Sequence, residues 1–380
     1  METCPLAAKR CGGCQLLHLP YPQQLAQKQQ RLQTLLGRYA KVHPIAGMQE
    51  PLHYRNKAIG SFAQQGGKLV CGLYAEGSHR VLTGADCLLH APVLNTVLAA
   101  VLQAARACRY TAYDEDRGTG LLRHVVLRSS HTTGEVLVTL VTAGPQLPGS
   151  RNFVAQLCKL APQVKTVVHN VNPTASSAVL GNRERVLYGP GYITDTLCGQ
   201  TFALSSRSFY QVNPVQTERL YQKAIDLAAL TGTETVLDAY CGVGTIGLCA
   251  APRAGRLIGV ERNPAAVRDA VANAHRNAVR NARFYAADAT AWMVQNQKEV
   301  HPDVIFLDPP RAGSTPECLR AVAAMAPKRL VYVSCEPITL ARDVAQLQKL
   351  GYQPRGFYPY DMFPQTEHVE CVVLLSKVQN

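Results

Sequence analysis

Long apolar runs are missing from this chain: no stretch approaches the ~20 uninterrupted apolar residues that a membrane helix requires. Its start, Met1-Glu2-Thr3-Cys4, has no basic segment followed by an apolar one, so no export signal is read there. Both absences lead to the expectation of a cytoplasmic protein with no membrane partner. Acidic residues are scarce, 26 Asp/Glu against 39 Lys/Arg, for a net charge of +13. The deficit is uneven. Residues 1–200 hold 20 Lys/Arg against 10 Asp/Glu, whereas residues 201–380 hold 19 against 16. A basic first half beside a nearly balanced second half suggests that one part grips a polyanion while the other does chemistry. Hydrophobic residues at 47% exclude wholesale disorder, and 380 residues exceed one ordinary core, so two or three domains are expected. Cysteine is plentiful. Its thirteen residues are an odd number that suits a disulfide framework poorly, and in a reducing compartment they point to metal or catalysis.

Three regions follow from the patterning. Residues 1–46 hold a cysteine-rich irregular start and then, from Pro22 to about Tyr39, an exposed amphipathic helix that ends near Gly37. Residues 47–200 are strand-rich, with a meander over 50–85, a helix over Ala91–Cys108, and strand-like runs at Leu121–Arg128, Glu135–Val141, Thr166–Asn170 and Ala178–Leu180. Residues 201–380 alternate strand and helix. Strands are predicted at Thr235–Asp238, Leu257–Val260, Arg283–Ala286, Val304–Leu307, Leu330–Val333 and Cys371–Leu375, with helices at Gln216–Ala229, Ile246–Ala251, Pro264–Asn277 and Pro316–Met325. That order predicts a doubly wound, mainly parallel α/β sheet, which binds ligands outside the carboxyl ends of its strands.

The first of these strands ends in Asp238 and runs into Gly242-Val-Gly244-Thr-Ile-Gly247, a loop whose glycines let the backbone approach a ligand. Alone, this pattern also fits a dinucleotide site. Acidic residues at the next strand ends separate the two. Glu261 is spaced to accept from both hydroxyls of a ribose, Asp288 to read the amino group of an adenine, and Asp308 ends the fourth strand. A pyrophosphate would be repelled by such a group of carboxylates, whereas S-adenosylmethionine carries positive charge and suits it.

Asp308-Pro-Pro-Arg311 narrows the acceptor, because enzymes that methylate exocyclic amino groups put an aromatic residue where Arg311 stands. A carbon acceptor such as C5 of uracil needs a nucleophile to add at C6 and a base to remove the C5 proton. Cys335, at the mouth of the sheet where an apolar strand stops before Pro337, can be that nucleophile, and Glu370 or His368 the base. At the other end of the chain, Cys4, Cys11 and Cys14 lie within eleven residues, with Cys71, Cys87 or Cys108 available as a fourth ligand. No second Cys-x-x-Cys knuckle exists, so an iron–sulfur cluster suits the spacing better than zinc or free thiols.

Tyr332-Val-Ser-Cys335-x-Pro337, Asp361-Met-Phe-Pro364 with His368-x-Glu370, Leu307-Asp-Pro-Pro-Arg311 and Ser208-Phe-Tyr-Gln-Val-Asn-Pro214 resemble the RNA (uracil-5-)-methyltransferase family over about residues 4–378. The resemblance implies a C-terminal Rossmann-like S-adenosylmethionine-dependent methyltransferase domain, a strand-rich RNA-binding domain before it, and an N-terminal iron–sulfur segment. It implies that Cys335 is the nucleophile and Glu370 the base, and that Gln211, Tyr240, Glu261 and Asp288 hold the cofactor. Asp308 would sit between cofactor and uracil. It also implies that Cys87 joins Cys4, Cys11 and Cys14 around a [4Fe–4S] cluster, as in the family's 23S ribosomal RNA branch; the transfer-RNA branch lacks one. The family's small N-terminal β-barrel (TRAM) domain is read as absent, because Cys4 stands at the start. A monomer acting on a flipped or single-stranded uridine is expected. Its grip on RNA would come from Arg55, Lys57, Arg123 and Arg128. Glu336 and Thr245 depart from the family, which usually has Asn at both places.

Overall fold

The computed structural model describes residues 4–84, 86–174 and 178–378. In chain order the first elements are α1 (Tyr21–Leu36), β1 (Lys57–Gln65), β2 (Lys68–Tyr74), β3 (Val81–Leu82), α2 (Pro92–Ala107) and β4 (Leu122–Ser129). There follow β5 (Val136–Thr142), α3 (Ser150–Leu160), β6 (Val164–Val171), β7 (Arg183–Tyr188), and a two-stranded ribbon of β8 (Tyr192–Leu197) and β9 (Gln200–Ser205). Then come α4 (Pro214–Ala228), β10 (Thr235–Ala239), α5 (Thr245–Ala250), β11 (Arg256–Glu261), α6 (Pro264–Arg276), β12 (Ala282–Ala286) and α7 (Ala289–Asn296). The chain closes with β13 (Val304–Leu307), α8 (Pro316–Met325), β14 (Arg329–Ser334), α9 (Pro337–Lys349), β15 (Tyr352–Tyr360) and β16 (Glu370–Lys377).

These elements make two compact units, one from the residues up to Gln15, Leu52–Asp195 and Ala203–Arg207, the other from Leu16–Pro51, Thr196–Phe202 and Ser208 onward. The first unit is a seven-stranded sheet in the order β3-β2-β1-β4-β5-β6-β7. It is antiparallel except for β5–β6, whose crossover is α3. Because side chains alternate along a strand, β1 turns Ala58 and Phe62 toward the helices and Ile59, Ser61 and Ala63 to the opposite face. A Cβ on Gly60, on the helix side, would come within 2.8 Å of both Cys71 Sγ and Leu98 Cδ1, so no larger residue fits there. Leu94, Val97, Val101, Phe153 and Leu157 fill the core against Leu122, Val125, Leu127, Val138 and Leu140. The strand expected at Ala178–Leu180 is irregular, and β7 forms a few residues later; it is largely exposed and lacks an apolar run.

The second unit is a sheet in the order β12-β11-β10-β13-β14-β16-β15, parallel through β14 and antiparallel at β16 and β15. All four residues of β13 are buried, as a strand covered on both faces requires. The order of strands reverses between β10 and β13, so the crevice for a ligand opens at their carboxyl ends. Pro337 does not stop a turn. It is the first residue of α9, a place where its missing N–H costs nothing. The face of α1 read as exposed is buried along Gln24, Lys28, Leu32 and Leu36. Gln24 Nε2 donates to Leu19 O (2.9 Å) and Gln365 Oε1 (2.8 Å), and Lys28 Nζ meets Asp361 Oδ1 at 2.6 Å.

Candidate active site

Within the second unit, β10 is followed directly by Tyr240, whose φ of +66° is a conformation that a bulky side chain adopts only when its surroundings enforce it. The glycine loop then turns into α5, with Gly244 (φ +84°) at its N-cap. A Cβ there would be strained by that φ and would stand 3.0 Å from Leu248 Cδ1. Asp238 is buried and accepts the Gly247 N–H at 2.9 Å, tying strand to helix. Burial, then the charges of Asp308 and Glu261, push its carboxyl up to about 7. At the end of β11, Glu261 Oε2 accepts the Gly242 N–H (3.2 Å) and Oε1 the Asn263 N–H (2.7 Å).

One cavity of about 450 Å³ gathers most of the expected site: Gln211, Tyr240, Glu261, Asp308, Cys335 and Glu370 all line it. Cys335 stands between β14 and α9, on a turn in which Ser334 Oγ accepts the Glu336 N–H at 3.2 Å. Glu336 caps α9 by accepting the Ile338 N–H (3.2 Å). An Asn at that place could cap in the same way, so the departure leaves the helix start intact. Thr245 Oγ1 lies 3.1 Å from Tyr221 OH, and both line the cavity.

The electrostatics of three groups are joined. Burial pushes Glu370 up to about 8, with Asp308 adding to the rise and Arg311 opposing it. Asp308, exposed only in part, is raised to about 7 by burial. Cys335 rises to about 11 through burial and the charges of Glu370 and Asp308, again against Arg311. Arg311 is the only Lys or Arg among the lining residues, which otherwise carry four carboxylates. A positively charged ligand such as S-adenosylmethionine would favour the ionised form of these carboxyls, whereas a pyrophosphate would oppose it and meet only Arg311.

Asp288 is not on the lining. It is exposed and caps α7, accepting the Ala291 N–H at 3.0 Å, although its charge reaches Tyr240. His368 sits edge-on to Phe363 with ring centres 6.2 Å apart. Phe209, Tyr221 and Phe363 line the cavity unannounced by the sequence reading. Phe209 is 71% exposed, and its signal lay in the Ser208-Phe-Tyr-Gln211 run that supplied Gln211.

In the first unit, burial and the charges of Cys87, Cys11 and Cys4 push the Cys14 thiol up to about 12, so Cys14 lies within electrostatic reach of the other three expected ligands. Cys4, Cys11 and Cys87 pack around Leu6, Ala75 and Leu82. Among the described residues, however, no group of three His, Cys, Asp or Glu is arranged to hold a metal ion. Two of the cations expected to grip phosphates are turned inward: Arg123 is 5% and Arg128 1% exposed. Arg123 pairs with Glu115 Oε1 at 2.6 Å and donates to Asn172 O at 3.0 Å. Periodicity alone could not reveal such partners. No helix among the described residues is long and apolar enough to cross a membrane.

The tRNA (uracil-5-)-methyltransferase family model matches residues 20–378. An uncharacterized RNA methyltransferase of Halalkalibacterium halodurans is 43% identical over 382 aligned positions, covering 98% of this chain and 82% of its own length. One from Caldanaerobacter subterraneus is 41% identical, with 98% and 83% covered. The crystal structure of Pyrococcus abyssi tRNA (uracil-54, C5)-methyltransferase in complex with S-adenosyl-L-homocysteine superposes with a TM-score of 0.79 at 28% identity. It covers 96% of this chain and 86% of that one. The chain therefore belongs to the tRNA (uracil-5-)-methyltransferase family and is an S-adenosylmethionine-dependent RNA methyltransferase.

Proposed function

We propose that this chain methylates C5 of a uridine through a covalent bond between Cys335 Sγ and C6 of the base, resolved by Glu370. The observation that carries the reading is that nucleophile, base and strand-end carboxylates line one cavity, where Asp308 raises Glu370 and both raise Cys335. Glu261 would hold the ribose hydroxyls of the cofactor, Asp288 its adenine amino group, and Gln211 and Tyr240 the remainder, with Asp308 between cofactor and uracil. S-adenosylmethionine, when bound, supplies an electrophilic methyl group. The chain's residues do the rest. Cys335, which is half-buried, gives its proton to solvent, helped by the Arg311 charge, and Sγ adds to C6. Electron density moves to C5, which can then take the methyl group. The Glu370 carboxylate removes the C5 proton, the C6–S bond breaks, and the thiolate returns.

The substrate proposed first is 23S ribosomal RNA, on the strength of the Cys4, Cys11, Cys14 and Cys87 thiols. Transfer RNA is the second reading, supported by the similarity to the Pyrococcus abyssi transfer-RNA enzyme. Mapping 5-methyluridine in ribosomal and transfer RNA from cells with and without the gene decides between them. Loss of a methyl group from transfer RNA alone would overturn the ribosomal assignment. Cys4, Cys11, Cys14 and Cys87 are proposed to hold a [4Fe–4S] cluster that pins the N-terminal segment to the strand-rich unit. What supports it is that Cys4 and Cys11 add to the rise of both the Cys14 and the Cys87 thiols. Four irons per chain in an anaerobic preparation is the expected result; one zinc would overturn it. The monomer expected from sequence is checked by sedimentation.

A further inference from the structure

The first unit contains a second cavity, of about 260 Å³, lined in part by Ala63, Tyr74, Tyr113, Asp116, Arg123 and His124. It lies on the face of the sheet opposite α2 and α3. Ser61 there pairs in register with Gly72 and His124, and Ser61 Oγ meets His124 Nδ1 at 3.1 Å. Tyr74, two residues along from Gly72, is on that face and 38% exposed. Its ring stacks on His79 at 5.3 Å and meets His124 edge-on at 6.4 Å. Burial, with Arg123 nearby, lowers His124 to about 4, so it is a neutral wall at physiological pH.

The opposite wall is built from charge. Arg123 lies over the Tyr113 ring at 5.3 Å, and its Nε is buried without a hydrogen-bond partner. Glu115 is taken up by Arg123, and Asp114 Oδ1 accepts the backbone N–H groups of Asp116 and Arg117 (3.0 and 3.1 Å). Asp116 makes no side-chain bond among the described residues. The aromatic platform suits the π-face of an unstacked base, the usual way in which single-stranded RNA is held. Arg117 and Arg123 pair with Asp114 and Glu115, so Asp116 is the carboxylate of this rim left to accept from a ligand. Below the ~300–1,000 Å³ of drug-sized sites, the volume suits one planar base.

We propose that this cavity binds a single unstacked guanine of the RNA, with Tyr74 as stacking surface and Asp116 accepting from the base. Guanine alone offers two adjacent donors, N1–H and N2–H, that one carboxylate can take together. Adenine and cytosine place an acceptor beside their amino group, and uracil flanks its single N–H with carbonyls; a carboxylate repels those neighbours. This inference rests on RNA being the substrate. It gives the strand-rich unit a means of choosing sequence around the target uridine.

The test is the affinity of the full chain for the labelled RNA pentamers UUGUU, UUAUU, UUCUU and UUIUU (I, inosine, which lacks the N2 amino group). UUGUU should bind about tenfold tighter than UUAUU or UUCUU, with UUIUU between. Asp116→Asn, at an exposed position, should remove the preference. Tyr74→Ala should weaken UUGUU by about tenfold, and Tyr74→Phe should restore it. Equal binding of all four pentamers, or a preference that survives Asp116→Asn, overturns the guanine site while leaving RNA as substrate. Failure to bind any RNA overturns both.

Discussion

Replacing Glu370 by Gln tests the site twice, once through chemistry and once through stability. The side chain is 4% exposed, and its carboxyl rises from 4.5 to about 8. At 1.36 kcal/mol for each pKa unit, folding opposes its ionisation by on the order of 5 kcal/mol. The sign follows from proton counts. Between pH 4.5 and 8 the unfolded chain carries the carboxylate while the folded one keeps the proton, so this residue makes stability fall as pH rises. Above about 8 both forms are ionised and the penalty is constant. Gln has no proton to lose. Glu370→Gln should therefore match the wild type near pH 5 and exceed it by a growing margin, several kcal/mol by pH 9, in urea unfolding. In the methylation assay the same variant cannot take the C5 proton. Turnover should drop by about 10²–10⁴, with RNA retained on Cys335 as a denaturation-resistant band. A stability margin that does not change with pH would refute the buried-carboxyl argument, and free turnover without adduct would refute Glu370 as the base.

Cys335→Ala should abolish methyl transfer and adduct while leaving S-adenosylhomocysteine affinity within about twofold in calorimetry; retained turnover would remove the covalent route. Glu261→Ala should weaken that affinity by roughly tenfold or more, since hydrogen bonds to a charged group contribute ~1.5–3 kcal/mol. For the wild type, single-turnover methylation should accelerate with pH through about 8 as Glu370 ionises, and keep rising toward about 11 as Cys335 gives up its proton. Lys28→Met leaves Asp361 buried without its cation, which should cost ~3–5 kcal/mol in unfolding. Lys28→Met combined with Asp361→Leu should recover most of that loss.

The second unit was the more legible in sequence, because parallel strands covered on both faces appear as short apolar runs bounded by turns, as Val304–Leu307 does. Helix α9 was hidden by Pro337, which reads as a stop when it follows a strand and as a start only when the helix is seen. Acidic strand ends announced the cavity. Its aromatic walls did not, since Phe209, Tyr221 and Phe363 come from three segments far apart in the chain. Polar residues misled most. Gln24 and Lys28 looked solvent-facing, and Arg123 and Arg128 looked ready for phosphate, because their burial depends on partners that periodicity cannot supply.

The bond from Lys28 to Asp361 spans 333 residues and also has a meaning in time. Helix α1 leaves the ribosome well before the segment that receives it. At roughly 5–20 residues per second, synthesis separates them by on the order of 17–67 s. Throughout that interval the face of α1 destined for burial is without its folded-state partner. Gln24 and Lys28 on that face keep the waiting helix soluble where a wholly apolar stripe would invite aggregation. The segment around Asp361 then closes the second unit by bonding to α1, so this unit is completed only after both have been made.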